Sequence, residues 1–546
     1  MMNHKPSPIM GGLIGGLLTL PLIVIAALAN QIAGLAFFPF DLFDFMVRNL
    51  PGPLITQSIE VMVSFIRGLN LGRTDTAAKL AEQLIGVFQL IVIGAVGGAV
   101  YFAVQNRRGK AQAGGIGGTV LGLIVGLPFA LIASTTPGAN PLAAAVWTLL
   151  AFGVWGMLVN AAYDRLAFGK ANRTPATATA ASVEVLDRRQ FLIQLGAATA
   201  TITVVGGGLS ALLNTTPNAG APVPEATLDP DIASALPVSR SEFVAAPGTR
   251  PEITALANHY RIDIRSQPLD ISAEGYNLPF TTQIGGTQRT LAELTLDNIR
   301  NDFEAVDEYI TMSCISNPVG GDLISTIKWT GVPMQDILAS MDVPEGATHL
   351  LITGGDSFYE TVALDLINND RRILLAYAWD DQPLLPKHGF PLRIHIPNLY
   401  GMKQPKWITG IEFLDSDQDG YWVARGWDKE AIVRSTSVID TVAVDAVETG
   451  EDGTQLVPVG GIAWAGDRGI ARVQVRVDEG EWEDAVVNAA ISDRTWQLWR
   501  YNWPFSAGFH RFEVRCVEPN GTPQLESDRT PHPSGATGIH QASVTI

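Results

Sequence analysis

A chain of 546 residues is long enough for three or four domains, and 47% hydrophobic residues with a mean hydropathy of +0.18 require that part of it lie in lipid. The formal net charge of −17 and a pI near 4.9 exclude nucleic acid as a partner, because no basic domain is present to neutralise phosphates. The two cysteines, Cys314 and Cys516, lie too far apart in sequence to read as a disulfide framework, so the fold depends on core packing.

From the N-terminus, apolar runs at 9–36, 84–104, 116–133, 142–162 and 191–213 each approach the roughly 20 residues that cross a hydrocarbon core, which predicts five spanning helices within a transmembrane region at 1–213. The stretch 37–79 is interrupted by Arg48, Glu60 and Arg67 and predicts interfacial amphipathic helices. Basic clusters at Arg107, Arg108 and Lys110, and at Arg165, Lys170, Arg173, Arg188 and Arg189, mark two loops as cytoplasmic. The expectation is a multi-pass plasma-membrane protein with its N-terminus inside and its C-terminal half on the extracytoplasmic side. Pairs such as Gly94 and Gly98, or Gly118 and Gly122, have the spacing of close helix contacts. In DRRQFLIQLG, Arg188 and Arg189 precede the fifth run as in an internal twin-arginine export signal that stays as an anchor; an ordinary positive-inside anchor explains the same pair. All eight histidines lie outside the five runs and C-x-x-C-H does not occur, so neither paired intramembrane haem ligands nor c-type attachment is encoded. Interior charges of an ion path are missing too, which makes transport the weaker reading.

Residues 214–252, rich in Pro, Ala, Thr and Gly, form a linker. In 253–436, short β-type runs (YRIDI, HLLIT, RILLAYA, LRIHIP) alternate with brief helical stretches (MQDILASM), which predicts a mixed α+β domain. Within it Cys314 follows a β-like run and precedes Gly320-Gly321. A loop thiol beside the amides of such a turn is expected to be exposed and easily ionised, and a soft thiolate is a metal ligand. HGFPLRIHIPNLYGMKQPKW gathers several cations and Gly401 into one stretch, a composition suited to an anionic ligand. Asp415, Asp417 and Asp419 imitate the start of a calcium loop, but the twelfth position is Gly426 and a polar turn is the expectation.

Residues 437–546 hold evenly spaced strands with turns such as Asn520-Gly521, as an Ig-like β-sandwich requires. Cys516 alternates with Phe512 and Val514 and reads as core. Trp464, Trp482, Trp496, Trp499 and Trp503 are candidate interface anchors, with core packing as the default.

The segments TMSCISNPVGGDLISTIKWTGVPMQDIL and HGFPLRIHIPNLYGMKQPKWITGIEF resemble the sulfite oxidase family of molybdopterin-dependent oxidoreductases. The resemblance covers about 253–546, with the last domain similar to the family's dimerisation domain. It implies a molybdenum-molybdopterin cofactor (Moco), Cys314 as the metal ligand and catalytic centre, and His388, Arg393, Lys403, Lys406 and Trp407 around the pterin and its phosphate. ANHYRIDI resembles an early pterin-contacting strand, from which Asn258, Tyr260 and Arg261 carry over. The family's arginines close after the cysteine are replaced here by Pro318 and Val319, and its metal-facing tyrosine aligns with Phe358, next to Tyr359. Asp322 and Tyr359 are the candidates for acid/base or hydrogen-bonding roles in the substrate pocket.

The expectation is a membrane-anchored oxidoreductase performing two-electron oxo transfer on a small extracytoplasmic substrate, an S- or N-oxide or a sulfite-like anion. Electrons would travel through a separate cytochrome or quinone partner, and the last domain could support a homodimer. The alternative is a membrane receptor or adhesion protein with a degenerate pterin domain and a partner-binding β-sandwich.

Overall fold

A computed structural model describes residues 5–108, 116–136, 140–168, 188–213 and 243–546. The chain divides into two compact units. One is helical and comprises Met1–Leu50, Ala78–Ala221 and Ile264–Gln267; the other comprises Pro51–Ala77, Pro222–Asp263 and Pro268–Ile546. The N-terminal half contributes α1 (Pro8–Ala33), α2 (Phe38–Asn49), α3 (Gly52–Gly68), α4 (Thr74–Arg108), α5 (Ile116–Ser134), α6 (Pro141–Phe168) and α7 (Arg188–Leu213).

Among the described residues four helices are long and apolar enough to cross a membrane: Pro8–Ala33, Thr74–Arg107, Ile116–Ser134 and Pro141–Ala167. The fifth expected run is helical as α7, but its searched apolar part, Ile193–Val205, is shorter. The side chains of Arg188 and Arg189, with Lys110, Lys170 and Arg173, lie outside the described residues. The interrupted stretch after α1 forms α2 and α3, as its polarity predicts.

Glycines set the helix contacts in the helical unit. A Cβ on Gly15 would strike the carbonyl of Gly94, one on Gly118 that of Gly156, and one on Gly122 that of Phe152. Only bare backbone permits such an approach, and Leu123, Leu127 and Leu131 on α5 remain exposed. Asp44 is buried and accepts hydrogen bonds from the backbone N of Ser266 at 2.9 Å and its Oγ at 2.7 Å.

The second unit is built on two small sheets and a larger one. Its first strands are β1 (Asn277–Thr282), β2 (Arg289–Thr295), β3 (Val306–Ser313), β4 (Ile324–Pro333), β5 (His349–Gly354), β6 (Tyr359–Ala363), β7 (Leu374–Trp379), β8 (Gln382–Pro383), β9 (Arg393–His395) and β10 (Ile408–Leu414). They form one sheet in the order β2-β1-β10-β5-β6 and another in the order β3-β4-β7-β8, with β9 paired to β7. Only β1 and β10 run parallel. Short helices α8 (Leu296–Asn301), α9 (Met334–Ala339) and α10 (Leu364–Asn369) complete the α+β domain, whose core includes Phe280, Ile299, Met334, Ile352 and Phe413.

The last domain has β11 (Thr436–Val442), β12 (Glu448–Thr449), β13 (Gln455–Trp464), β14 (Arg472–Val477), β15 (Glu483–Val487), β16 (Gln497–Pro504), β17 (Phe509–Val517) and β18 (His540–Thr545). Hydrogen bonding is continuous along β11-β13-β16-β15-β14-β17-β18, and β11 also packs beside β17 and β18, so the domain is barrel-like where two separate layers were expected. Gly461 allows the curl: a Cβ there would strike the carbonyl of Val438, next to a register shift between Ile439 and Thr441. Trp464, Trp496, Trp499 and Trp503 are buried core, as is Cys516, while Trp482 lies under the guanidinium groups of Arg476 and Arg515 at 4.5 and 4.3 Å. Residues 214–242 of the expected linker lie outside the described residues. Residues 243–252 already pack on the barrel-like domain, where Arg250 pairs with Asp440 at 2.6 Å and the Trp496 indole donates to the Glu252 carbonyl at 2.8 Å.

Candidate functional site

Cys314 follows β3, whose pairing with β4 ends at Ser313 and Ile324. The intervening loop is pinned by Cys314 N to Leu323 O at 3.0 Å and by Leu323 N to the Asn317 side chain at 3.0 Å. The expected exposed, easily ionised thiol is not what folds: Cys314 is only 8% accessible, and burial pushes its pKa up more than the hydrogen bonds from Ser316 and the local backbone lower it. The Ser316 hydroxyl lies 3.0 Å from Sγ.

Around the same core stand Tyr260, Met312, Trp329 and Trp379. Arg393, on β9, is buried against them with no carboxylate partner among the described residues. Its guanidinium donates to the His388 carbonyl at 3.1 Å, points a second nitrogen at the Met312 sulfur at 3.6 Å, and lies 4.7 Å from the Trp329 ring centroid. Burial pulls its pKa down to about 10, which is a large cost for an arginine. His259 and His388 pack edge to face with ring centroids 4.9 Å apart; burial and the surrounding cations hold both well below the usual imidazole range, so both are neutral. His259 Nδ1 is 2.6 Å from Ser325 Oγ, whereas His388 Nε2 and Arg393 Nε are buried without a partner. Gly401 borders this pocket, since a Cβ there would come within 3.1 Å of the Tyr260 hydroxyl and 3.5 Å of the Ser313 carbonyl.

A second cationic group adjoins it. Arg261 donates to Asp263 at 2.8 Å, and Lys406 reaches the same carboxylate at 3.1 Å and the Lys387 carbonyl at 3.4 Å. Lys406 also lies 4.5 Å from the Trp407 ring centroid, and burial, partly offset by Asp263, draws its pKa down to about 8. Trp407 is wholly buried at φ +53°, its indole bonded to the Pro386 carbonyl at 2.7 Å. Neither Asp263 nor Lys387 was singled out from sequence. Asp263 carried a usable signal, because in YRIDI it shares a face with Arg261 at the period of an extended chain.

Other candidates are committed elsewhere. Lys403 is closed into a buried ion pair with Glu360 at 2.6 Å. Asn258 is exposed at the end of a 3-10 turn, and Asp322 accepts the backbone N of Thr74 at 2.8 Å. Tyr359 opens β6, in the sheet other than that of β3, half-buried with its ring edge 6.1 Å from Tyr421. The calcium-like run instead binds Lys429, which pairs with Asp417 at 2.8 Å and Asp419 at 3.1 Å. Among the described residues no group of three or more His, Cys, Asp or Glu converges as a metal site.

Residues 268–422 match the model of the oxidoreductase molybdopterin binding domain. The chain is 27% identical over 223 residues to mitochondrial sulfite oxidase of Drosophila melanogaster, covering 35% of this chain and 39% of that protein. It is 25% identical over 289 residues to the mitochondrial sulfite oxidase of Homo sapiens, covering 45% and 52% respectively. It is also 32% identical over 126 residues to the uncharacterized oxidoreductase YuiH of Bacillus subtilis, covering 23% and 63%. The chain thus spans about half or less of the length of these sulfite oxidases. Among solved structures, the sulfane dehydrogenase SoxCD from Paracoccus pantotrophus aligns with 60% of this chain and 92% of its own at 16% identity and a TM-score of 0.47.

Proposed function

We propose that this chain, whose residues 268–422 form a molybdopterin-binding oxidoreductase domain of the sulfite oxidase family, is a membrane-anchored enzyme acting on a small extracytoplasmic substrate. The observation that carries the reading is the buried cluster around Cys314 and Met312, against which packs Arg393, a buried cation that has no carboxylate partner among the described residues. Its polar atoms fit the group. Arg393 Nε and His388 Nε2 are buried and unpartnered, a Cβ at Gly401 would press on the Tyr260 hydroxyl, and the cations around Asp263 suit a phosphate.

When bound, molybdenum-molybdopterin supplies two-electron oxygen-atom transfer. Cys314 would be its single protein ligand. Burial favours the neutral thiol, and the Ser316 hydroxyl, 3.0 Å from Sγ, would donate to the Cys314 sulfur were it to hold the group. Arg393 holds positive charge in a low-dielectric site without reorganising, and the neutral imidazoles of His259 and His388 leave that charge undiminished. Arg261, Lys387 and Lys406 would face the phosphate end. Trp329 and Trp379 exclude water from the Cys314 side of the sheet. Pro318 and Val319 stand where family arginines would bind a sulfite oxyanion, which favours an S- or N-oxide over sulfite.

A parity argument supports α7 as a fifth span. Pro51–Ala77 and the chain after Pro222 belong to one compact unit, which can have only one side of a membrane. Three candidate spans separate them, so a fourth crossing is required, and α7 is available. The basic loops favour an extracytoplasmic position at the plasma membrane for that unit. Reduction of an S- or N-oxide consumes two electrons, which would be supplied by a separate cytochrome or quinone, and the barrel-like domain is the proposed surface for a homodimer.

The test is to purify the detergent-solubilised chain from a molybdenum-replete host and measure molybdenum and released pterin per chain. Near-equal amounts are expected, with Cys314→Ser losing the molybdenum. Apo protein under conditions that load a control molybdoenzyme would sink the enzyme reading. Turnover of a sulfoxide without sulfite-dependent reduction of an artificial acceptor would set the direction.

A further inference from the structure

Side chains two residues apart on a strand share a face, and on β4 this aligns Ser325, Ile327 and Trp329. Strand register sets Met312 of β3 opposite Ser325 and Trp379 of β7 opposite Trp329. Met312, Trp329 and Trp379 thereby join Cys314 in one buried core. Ser325 holds His259, whose ring lies 5.5 Å from those of both Trp329 and Trp379, and the Arg393 guanidinium sits over the Trp329 ring at 4.7 Å.

Trp329 is 1% accessible, yet its indole Nε1 has no hydrogen-bond partner among the described residues. Other buried indoles of the same unit find a carbonyl: Trp407 donates to Pro386 at 2.7 Å, Trp496 to Glu252 at 2.8 Å and Trp499 to Ile462 at 3.1 Å. Burying an N–H unpaired carries a cost that phenylalanine would avoid. Trp427 is also unpaired, but it packs in a separate cluster with Tyr400 and Trp464. Around Trp329 the unpaired nitrogens accumulate. Arg393 Nε and His388 Nε2 lack partners too, and His388 joins the group with its ring 4.9 Å from His259 and 4.8 Å from Trp379. Trp329 Nε1 and Arg393 Nε can only donate, so a group that satisfies them must present acceptor atoms.

We propose that Trp329 is a cofactor-holding residue, whose indole N–H donates to an acceptor atom of the pterin alongside Arg393 Nε. The inference rests on the cofactor reading above. It adds an uncharged donor from β4, outside the basic stretch from His388 to Trp407, and such a donor selects a carbonyl or ring nitrogen by geometry where the cations select by charge.

The experiment loads the full chain in vivo and follows pterin retained per chain during dialysis, alongside melting of the apo protein and ultraviolet resonance Raman spectra of the indoles in both states. Trp329→Phe keeps an aromatic ring and removes the N–H; it should release pterin about tenfold faster than wild type, with apo melting unchanged or higher. Trp427→Phe removes an unpaired N–H outside the cluster and should leave the release rate within about twofold. In the difference between wild type and Trp329→Phe, the band sensitive to indole hydrogen bonding should report a free N–H in the apo chain and a bonded one after loading. Unchanged release in Trp329→Phe overturns the inference and leaves the cofactor reading standing. A Trp329 indole already bonded in the apo chain also overturns it, by assigning the N–H to a buried water. Equal acceleration by Trp427→Phe, or an apo melting loss in Trp329→Phe that accounts for the faster release, overturns it by assigning the ring a packing role. A wild-type chain that takes up no pterin overturns both readings.

Discussion

Arg393 and Lys403 come from one short basic segment, yet their surroundings are opposite. Lys403 is buried with its charge matched by Glu360, while Arg393 is buried against Met312 and Trp329 with no carboxylate among the described residues. A cation matched inside the fold belongs to the fold's own stability. One that is left unmatched is held ready for something that arrives later. The contrast divides a row of similar side chains into scaffold and binding groups, a division that spacing along the chain cannot make.

The largest stability effect should come from breaking the matched pair. Lys403→Met strands the Glu360 carboxylate in the interior and should cost the apo protein about 3–5 kcal/mol, read by chemical denaturation. Arg393→Met should do the reverse to the apo chain, raising its stability by about 1 kcal/mol or more, while weakening pterin binding about 30-fold or more. Equal losses of apo stability in both variants would erase the distinction.

Lys406 allows a subtler test through pH. Its folded pKa of about 8 lies below the ordinary lysine value of 10.5, so between these limits the unfolded chain holds more protons. Apo stability from this group therefore rises as pH climbs through that window, because the cost of burying the charge is relieved. Affinity for an anionic pterin moves the other way, falling by up to about tenfold per pH unit above 8. Replacing Lys406 with Met should flatten the difference between the two profiles, measured by pterin binding and melting across pH 7–10. The smallest effect belongs to Lys429→Ala at the solvated run of aspartates, where neither melting nor pterin content should change.

Much of the site was legible because its residues are local. Cys314 precedes a glycine turn, and Arg393, Lys406 and Trp407 fall within one continuous stretch. Long-range facts were not legible. No spacing reveals that Asp322 accepts Thr74 N, because those residues meet only when the chain folds. Burial of Cys314 was missed for a related reason, since an accessible-looking loop is covered by strands distant in sequence. Helix positions were clear from hydropathy and glycine spacing, which act over one or two turns. The barrel-like closure of the last domain was not, because strands of a sandwich and a barrel share the same alternation, and only the pairing of distant edges separates them.

The interleaving of the two units has a consequence for how the protein is made. A chain emerges from the ribosome N-terminus first, so Pro51–Ala77 exists long before the residues at 243–546 that complete its unit. During that interval α3 lacks the 3-10 turn at Val423–Arg425 on which it packs, and Asp75 lacks Arg261. The early segment is a docked guest awaiting its host. Truncating nascent chains at successive lengths should therefore leave Pro51–Ala77 open to protease until the Arg261 and Val423–Arg425 regions have been made.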